Sequence, residues 1–222
     1  MSTDKASARL AVFDCDGTLV DGQAGICQAM EDAFAAVELS APDRHQIRRI
    51  VGLSLPQAVR LLAPDVGDKT CAVMVEAYKA SYRNQRSKGY LEEPLFDGIR
   101  QLLSRLTEAG WLLGVATGKS MRGLTACLAN HDLDDMFVTL QTADHHPSKP
   151  HPAMLQAALD EAGARRENTV MIGDTSFDMV MARSIGVRAI GVDWGYHSPE
   201  ELKADGAEAV VHSPKDLGDI LI

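Results

Sequence analysis

Short, almost continuously apolar runs rich in β-branched residues recur along this chain, and a helical pattern follows most of them. They are Arg9 to Phe13, Trp111 to Ala116, Phe137 to Leu140, Thr169 to Ile172, Ala189 to Val192 and Ala209 to Val211. A strand with one wet face alternates apolar and polar residues; a run without alternation is covered on both faces, as in a parallel sheet. The intervening patterns, Gly98 to Ala109, Met121 to Ala129, Pro152 to Ala162 and Phe177 to Ile185, read as helices. Gly110, Gly163 and Gly186 follow three of them as stop signals. Ser198-Pro-Glu-Glu201 has capping-box spacing with proline at the first helical position. This alternation predicts an open, doubly wound α/β fold with a parallel sheet.

One stretch breaks the alternation. From Gly22 to about Lys88 there is helical periodicity and no convincing strand. Ile26, Ala29, Met30, Ala33, Phe34 and Val37 form one apolar stripe at helical spacing. Ser40-Ala-Pro-Asp43 looks like the start of a short helix leading to Ile50, Val59, Leu61 and Leu62 suggest another, and Val73 to Tyr82 a further one. Such a block is far too long for a βα loop. It predicts a helical cap, residues 22–89, inserted into a core formed by residues 1–21 and 90–222. The hinges are expected near Val20 to Gly22 and Gly89 to Pro94.

Composition removes several function classes. The chain has 222 residues and a formal net charge of −9, which argues against a nucleic-acid binder needing a basic face. No apolar run approaches the roughly 18 residues of a membrane span. Met1 to Arg9 is polar and lacks the apolar middle of a secretory signal. Cys15, Cys27, Cys71 and Cys127 show no CxxC pairing and read as reduced thiols. Together these predict a cytoplasmic protein.

The chemistry-bearing residues fall at expected strand ends, where open α/β sheets bind their ligands. Asp14 and Asp16, two apart after the first strand, share one face, and Gly17 lets the chain turn there. The blander alternative is an acidic strand-end turn, since Asp-Gly is a common turn dipeptide. Asp174 follows another strand, with Asp178 one helical turn on. Oxygen-only ligands of this kind suit Mg²⁺, although Asp174 could merely cap a helix. Thr117-Gly118 offers a hydroxyl and free N–H groups ahead of a helix, a ready anion site that lacks the glycine spacing of a Walker loop. Lys149, among Pro150 and Pro152, could pair with both phosphate and the acidic residues. His145, His146 and His151 flank it, but no cysteine lies nearby and the prolines forbid a helical zinc spacing.

In this order the four motifs resemble the haloacid dehalogenase-like hydrolase superfamily, from Val12 to about Val211. The helical insert resembles that family's α-helical cap class, and Val51-Gly-Leu-Ser54 resembles the phosphoglycolate phosphatase-like branch. The resemblance implies a Rossmann-like core and a Mg²⁺-dependent phosphatase acting on a small phosphorylated metabolite. It implies Asp14 as the nucleophile that becomes an aspartyl-phosphate, and Asp16 as the acid that later serves as base. Thr117, Gly118 and Lys149 would hold the phosphoryl group. Mg²⁺ would be held by Asp14, the backbone carbonyl of Asp16 and Asp174, with Asp178 a ligand through water or an orienting partner of Lys149.

Asp16 distinguishes this chain from the dehalogenase and phosphonatase branches, where that position is not an acid; Lys69, Lys79 and Lys88 do not stand where a Schiff-base lysine is expected. A phosphosugar mutase of the same superfamily is the nearest alternative. A phospho-aspartate signalling receiver would lack the second acid and the cap. Arg49, with Arg48 and Ser54 near the cap turn, is the candidate partner for a substrate carboxylate such as that of 2-phosphoglycolate. Trp194-Gly-Tyr-His197 is expected to rim the mouth. Cys15, between the two acids, reads as a small core side chain, with an oxidant-sensitive thiol as the sharper alternative.

Overall fold

A computed structural model describes residues 8–222; the Met1–Ser7 part of the polar N-terminal stretch lies outside the described residues. Six parallel strands form one sheet: β1 (Arg9–Phe13), β2 (Trp111–Thr117), β3 (Thr139–Thr142), β4 (Thr169–Gly173), β5 (Arg188–Val192) and β6 (Ala209–Val211). Their order is β3-β2-β1-β4-β5-β6. The chain leaves β1 toward one edge and returns to its other side through β4. The β1/β4 boundary is therefore the switch point at which a doubly wound sheet opens a crevice.

The unbroken apolarity of β1 now has its cause. Ala11 and Phe13 face one core cluster with Leu102, Leu103 and Leu113, while Leu10 and Val12 face the other with Met154, Leu155 and Met179. The first layer is built on α5 (Ile99–Glu108), α6 (Met121–Asn130) and α10 (Pro214–Leu221); the second on α7 (Ala153–Ala162), α8 (Ser176–Ser184) and α9 (Pro199–Ala204). Each large side chain buried in these layers contributes about 1.5–3 kcal/mol. The α9 capping box forms as its sequence predicts, with Ser198 accepting from the Glu201 N–H.

Between β1 and α5 lie α1 (Gln23–Ala35), α2 (Arg44–Arg49), α3 (Leu55–Leu62) and α4 (Asp68–Ser87). Their apolar faces meet in a third cluster around Met30, Phe34, Ile47, Val59 and Met74. Two connecting segments tie this block to the sheet. Val20 bridges Leu95, the Asp21 N–H donates to the Pro94 carbonyl at 2.9 Å, and the Phe96 N–H to Leu19 at 3.1 Å.

Two elements differ from the sequence expectation. β3 begins at Thr139, not Phe137, because its ladder starts where Thr139 meets Gly114; an edge strand of Thr-Leu-Gln-Thr is held by backbone pairing that hydropathy does not register. The helix expected over Val73 to Tyr82 spans Asp68–Ser87, since only Cys71, Met74 and Val75 are buried and its charged turns extend well beyond the apolar window. Among the described residues no helix is long and apolar enough to cross a membrane. All four cysteines are free and buried.

Candidate active site

Asp14 leaves the end of β1 with its N–H bonded to the Ile172 carbonyl of β4 at 2.9 Å, which fixes it at the switch point. Its Oδ1 accepts from the Cys15 N–H at 2.6 Å, and its Oδ2 lies 2.9 Å from the Lys149 ammonium without a well-formed hydrogen bond. Burial raises the Asp14 carboxyl to about 6, against the pull of Lys149. Lys149 itself is wholly buried and donates to Asp178 Oδ1 at 2.6 Å. Burial alone would depress this ammonium; Asp14 and Asp178 outweigh that and hold it above its ordinary value.

Asp178 is doubly anchored. Its Oδ2 accepts from the Thr175 hydroxyl at 2.7 Å and closes a capping box at the start of α8. Asp178 thus joins Lys149 to the start of α8. Asp174 accepts from the Thr18 hydroxyl at 2.8 Å and the Tyr196 N–H at 3.0 Å. Burial first, then repulsion from Asp14 and Asp178, pushes its carboxyl well up. Gly17 turns the chain at φ 85°, and a β-carbon there would come 2.2 Å from Asp174 Oδ2. Only glycine permits both the turn and the approach.

Asp14, Asp174 and Asp178 offer carboxylate oxygens all within 4.8 Å of one another, and among the described residues they are the only group of three or more His, Cys, Asp or Glu so placed that it could hold a metal ion. His145, His146 and His151 form none; His146 contacts the Gln141 side chain instead.

Asp16 turns the other way and accepts from Lys119 at 2.9 and 3.0 Å. Lys119 is also 2.9 Å from Glu93 and within 3.3 Å of the Tyr82 hydroxyl, with its ammonium over the Tyr82 ring. Glu93 in turn receives Arg86 of α4 at 2.7 Å. One lysine is therefore shared by two buried carboxylates. Burial would raise Glu93, but Lys119 and Tyr82 outweigh it and hold this carboxyl low; at Asp16 burial prevails and the carboxyl is raised. Sequence reading did not single out Lys119, Glu93 or Tyr82. Lys119 stands two residues after Thr117, yet only the fold brings it to residues 82 and 93.

Thr117 ends β2 fully buried, and Gly118 follows beneath the turn between α2 and α3. A β-carbon on Gly118 would lie 2.4 Å from the Leu53 carbonyl and 2.6 Å from that of Gly52. Gly52, at φ 97°, is itself so near that its β-carbon would sit 3.6 Å from Asp14 Oδ2. The Ser54 N–H donates to Ser148 Oγ at 2.8 Å. The helical block is thus seated directly over the strand ends.

Arg49 is not directed at this centre. Its guanidinium clasps Glu201 of α9 at 2.8 and 2.6 Å, and its carbonyl is 3.1 Å from His197 Nε2. His197 Nδ1 accepts from the Ser176 N–H, so Nε2 carries the proton donated to Arg49. Arg48 donates to Gln23. The Trp194–His197 loop brackets Asp174: the Trp194 indole donates to the Thr18 carbonyl, and a β-carbon on Gly195 would lie 2.3 Å from Asp174. Cys15 is fully buried in the first core layer.

Aspartates at two adjacent strand ends, a threonine at a third and a buried lysine between them define a class. Residues 11–192 match the haloacid dehalogenase-like hydrolase family, and the chain belongs to it. Among its relatives, a probable phosphatase IndB from Dickeya dadantii is 37% identical over 208 residues, 91% of this chain and 88% of that protein. A phosphoglycolate phosphatase from Vibrio vulnificus is 26% identical, covering 96% of each chain. The crystal structure of a predicted phosphatase from Clostridium acetobutylicum superposes with a TM-score of 0.87 at 27% identity, over 97% of this chain and 99% of that one.

Proposed function

We propose that this chain is a Mg²⁺-dependent phosphomonoesterase working through an aspartyl-phosphate on Asp14, with the helical block (residues 22–89) as the cap over its site. The observation that carries this reading is the buried set of Asp14, Lys149, Asp174 and Asp178. Three carboxylates crowd together there around one ammonium, which pairs with Asp14 and Asp178 but not with Asp174, and Asp14 Oδ2 lacks a well-formed hydrogen bond. Such a deficit of positive charge in a dry site suits a hard divalent cation, and the oxygen-only donors suit Mg²⁺. Asp14 and Asp174, with the Asp16 carbonyl, would hold it, and it would neutralise charge on the phosphoryl oxygens.

The protein's own residues supply the rest. An Asp14 oxygen attacks phosphorus while Thr117, the Gly118 N–H and Lys149 bind the phosphoryl oxygens. Asp16, whose carboxyl burial raises, gives its proton to the leaving alcohol and then takes one from the water that attacks the aspartyl-phosphate. Lys119 holds Asp16 in place. The cap loop at Gly52 excludes bulk water.

Phosphate release from a panel of phosphomonoesters, with Mg²⁺ and with chelator, tests the reading. Mg²⁺-dependent release that disappears in Asp14→Asn is expected. Phosphoryl transfer back to product without free phosphate would identify a mutase, and unchanged release by Asp14→Asn would refute the assignment of the nucleophile.

A further inference from the structure

A cavity of about 760 Å³ opens from the phosphoryl pocket into the cap. It begins at Asp16, Thr117, Gly118 and Lys119 and runs between α1, α4 and α6. Asp16 is the group that protonates the leaving oxygen, so whatever fills the space beyond it is the alcohol being released. The walls there are mostly apolar: Ile26, Met30, Val51, Leu53, Ala58 and Tyr78. At the inner end the buried cation is Lys119, already shared by Asp16 and Glu93. Arg86 is paired with Glu93 and Lys79 with Glu76, while Arg83 and Arg122 are exposed.

These features disfavour 2-phosphoglycolate. Its carboxylate lies close to the ester oxygen and would need a cation beside Asp16, where Lys119 is already shared by two carboxylates and the exposed Arg83 and Arg122 give no enclosed partner. Its two carbons would also leave most of the cavity unfilled, since a space of about 300–1,000 Å³ accommodates a drug-sized molecule. Resting on the phosphatase reading above, we infer that the substrate is a phosphomonoester of a bulky, largely apolar alcohol of the size of an aromatic ring or larger.

The test compares benzyl phosphate with ethyl phosphate, two primary alkyl esters of similar intrinsic reactivity, and with 2-phosphoglycolate. A single methylene in an apolar pocket is worth about 10- to 200-fold in kcat/KM, so benzyl phosphate is expected to exceed both others by at least about 100-fold. Ala126 of α6 lines the same cavity and is only partly buried, so Ala126→Trp should fill it without disrupting the core. That variant is expected to lower the benzyl-to-ethyl ratio at least about tenfold, its fold confirmed by thermal unfolding. Equal efficiencies for benzyl and ethyl phosphate, or a preference for 2-phosphoglycolate, would overturn the inference and leave the phosphatase reading standing. Release from none of the three, with release from other members of the phosphomonoester panel, would overturn the inference alone; release from none of that panel would remove both, and release that persists in Asp14→Asn would break the phosphatase mechanism first.

Discussion

Gly118→Ala isolates the contact between the helical block and the strand ends. The new β-carbon would meet the Leu53 carbonyl at 2.4 Å, where ordinary van der Waals contact begins at 3.4 Å. The 50–54 turn would therefore retreat by about 1 Å. A misplacement of that size around reacting groups costs about 10²-fold in rate, equivalent to about 2.7 kcal/mol of transition-state stabilisation. The backbone of Gly118 is not left-handed, and the nearest atoms the methyl meets all belong to Gly52 and Leu53. The layers of the sheet should not notice it, so Tm should move by no more than roughly 2 °C. Steady-state kinetics beside thermal unfolding provide the assay. Wild-type kcat/KM in Gly118→Ala would show that closure over Asp14 is irrelevant to turnover. A loss of activity accompanied by an equally large collapse of Tm would show that the turn supports folding instead.

Four further outcomes follow from the geometry. Mg²⁺ at about 100 times its Kd should stabilise the protein by about 2.7 kcal/mol, roughly 5–10 °C in Tm, and chelator should reverse it; no shift would count against the carboxylate cluster as a metal site. Lys149→Met, which leaves buried carboxylates unpaired, should cost about 3–5 kcal/mol in chelator and less with saturating Mg²⁺, read from denaturant unfolding in both conditions. The Arg49 and Ser198 partners hold the Glu201 carboxyl at about 2, below its ordinary 4.5. A depressed folded-state value means its stabilisation is complete above about pH 4.5 and fades as pH falls toward 2. The Tm gap between wild type and Glu201→Gln should accordingly be constant from pH 7 to 5 and shrink below that; a constant gap at pH 3 would contradict the clasp. Finally, contact with Cys127 and burial push the Cys15 thiol up, so native protein should resist thiol reagents at this position; rapid labelling located to Cys15 by mass spectrometry would revive the oxidant-sensitive alternative.

Much of this site is legible in the sequence because its essential residues are bound to local rules. Asp14 and Thr117 stand immediately after apolar runs, Asp174 follows another across a single glycine, and a strand end is where such a fold places its chemistry. The alternation of runs and helices carries the fold class, and the long interruption carries the helical insert. The resemblance to a known family then supplies roles that spacing alone leaves open.

Tertiary structure decided everything that depends on residues distant in the chain. Arg49 reads as a substrate partner until α9 brings Glu201, 152 residues away, against it. Lys119 reads as one more loop lysine until the return segment and α4 place Glu93 and Tyr82 around it. The apolar side chains of α1 and α4 read equally well as packing, and only their arrangement over Asp16 leaves a cavity between them. The physical reason is the same in each case. Hydropathy and caps act within a few residues along the backbone, whereas burial, charge pairing and enclosed volume are set by elements that meet only when the sheet has been wound.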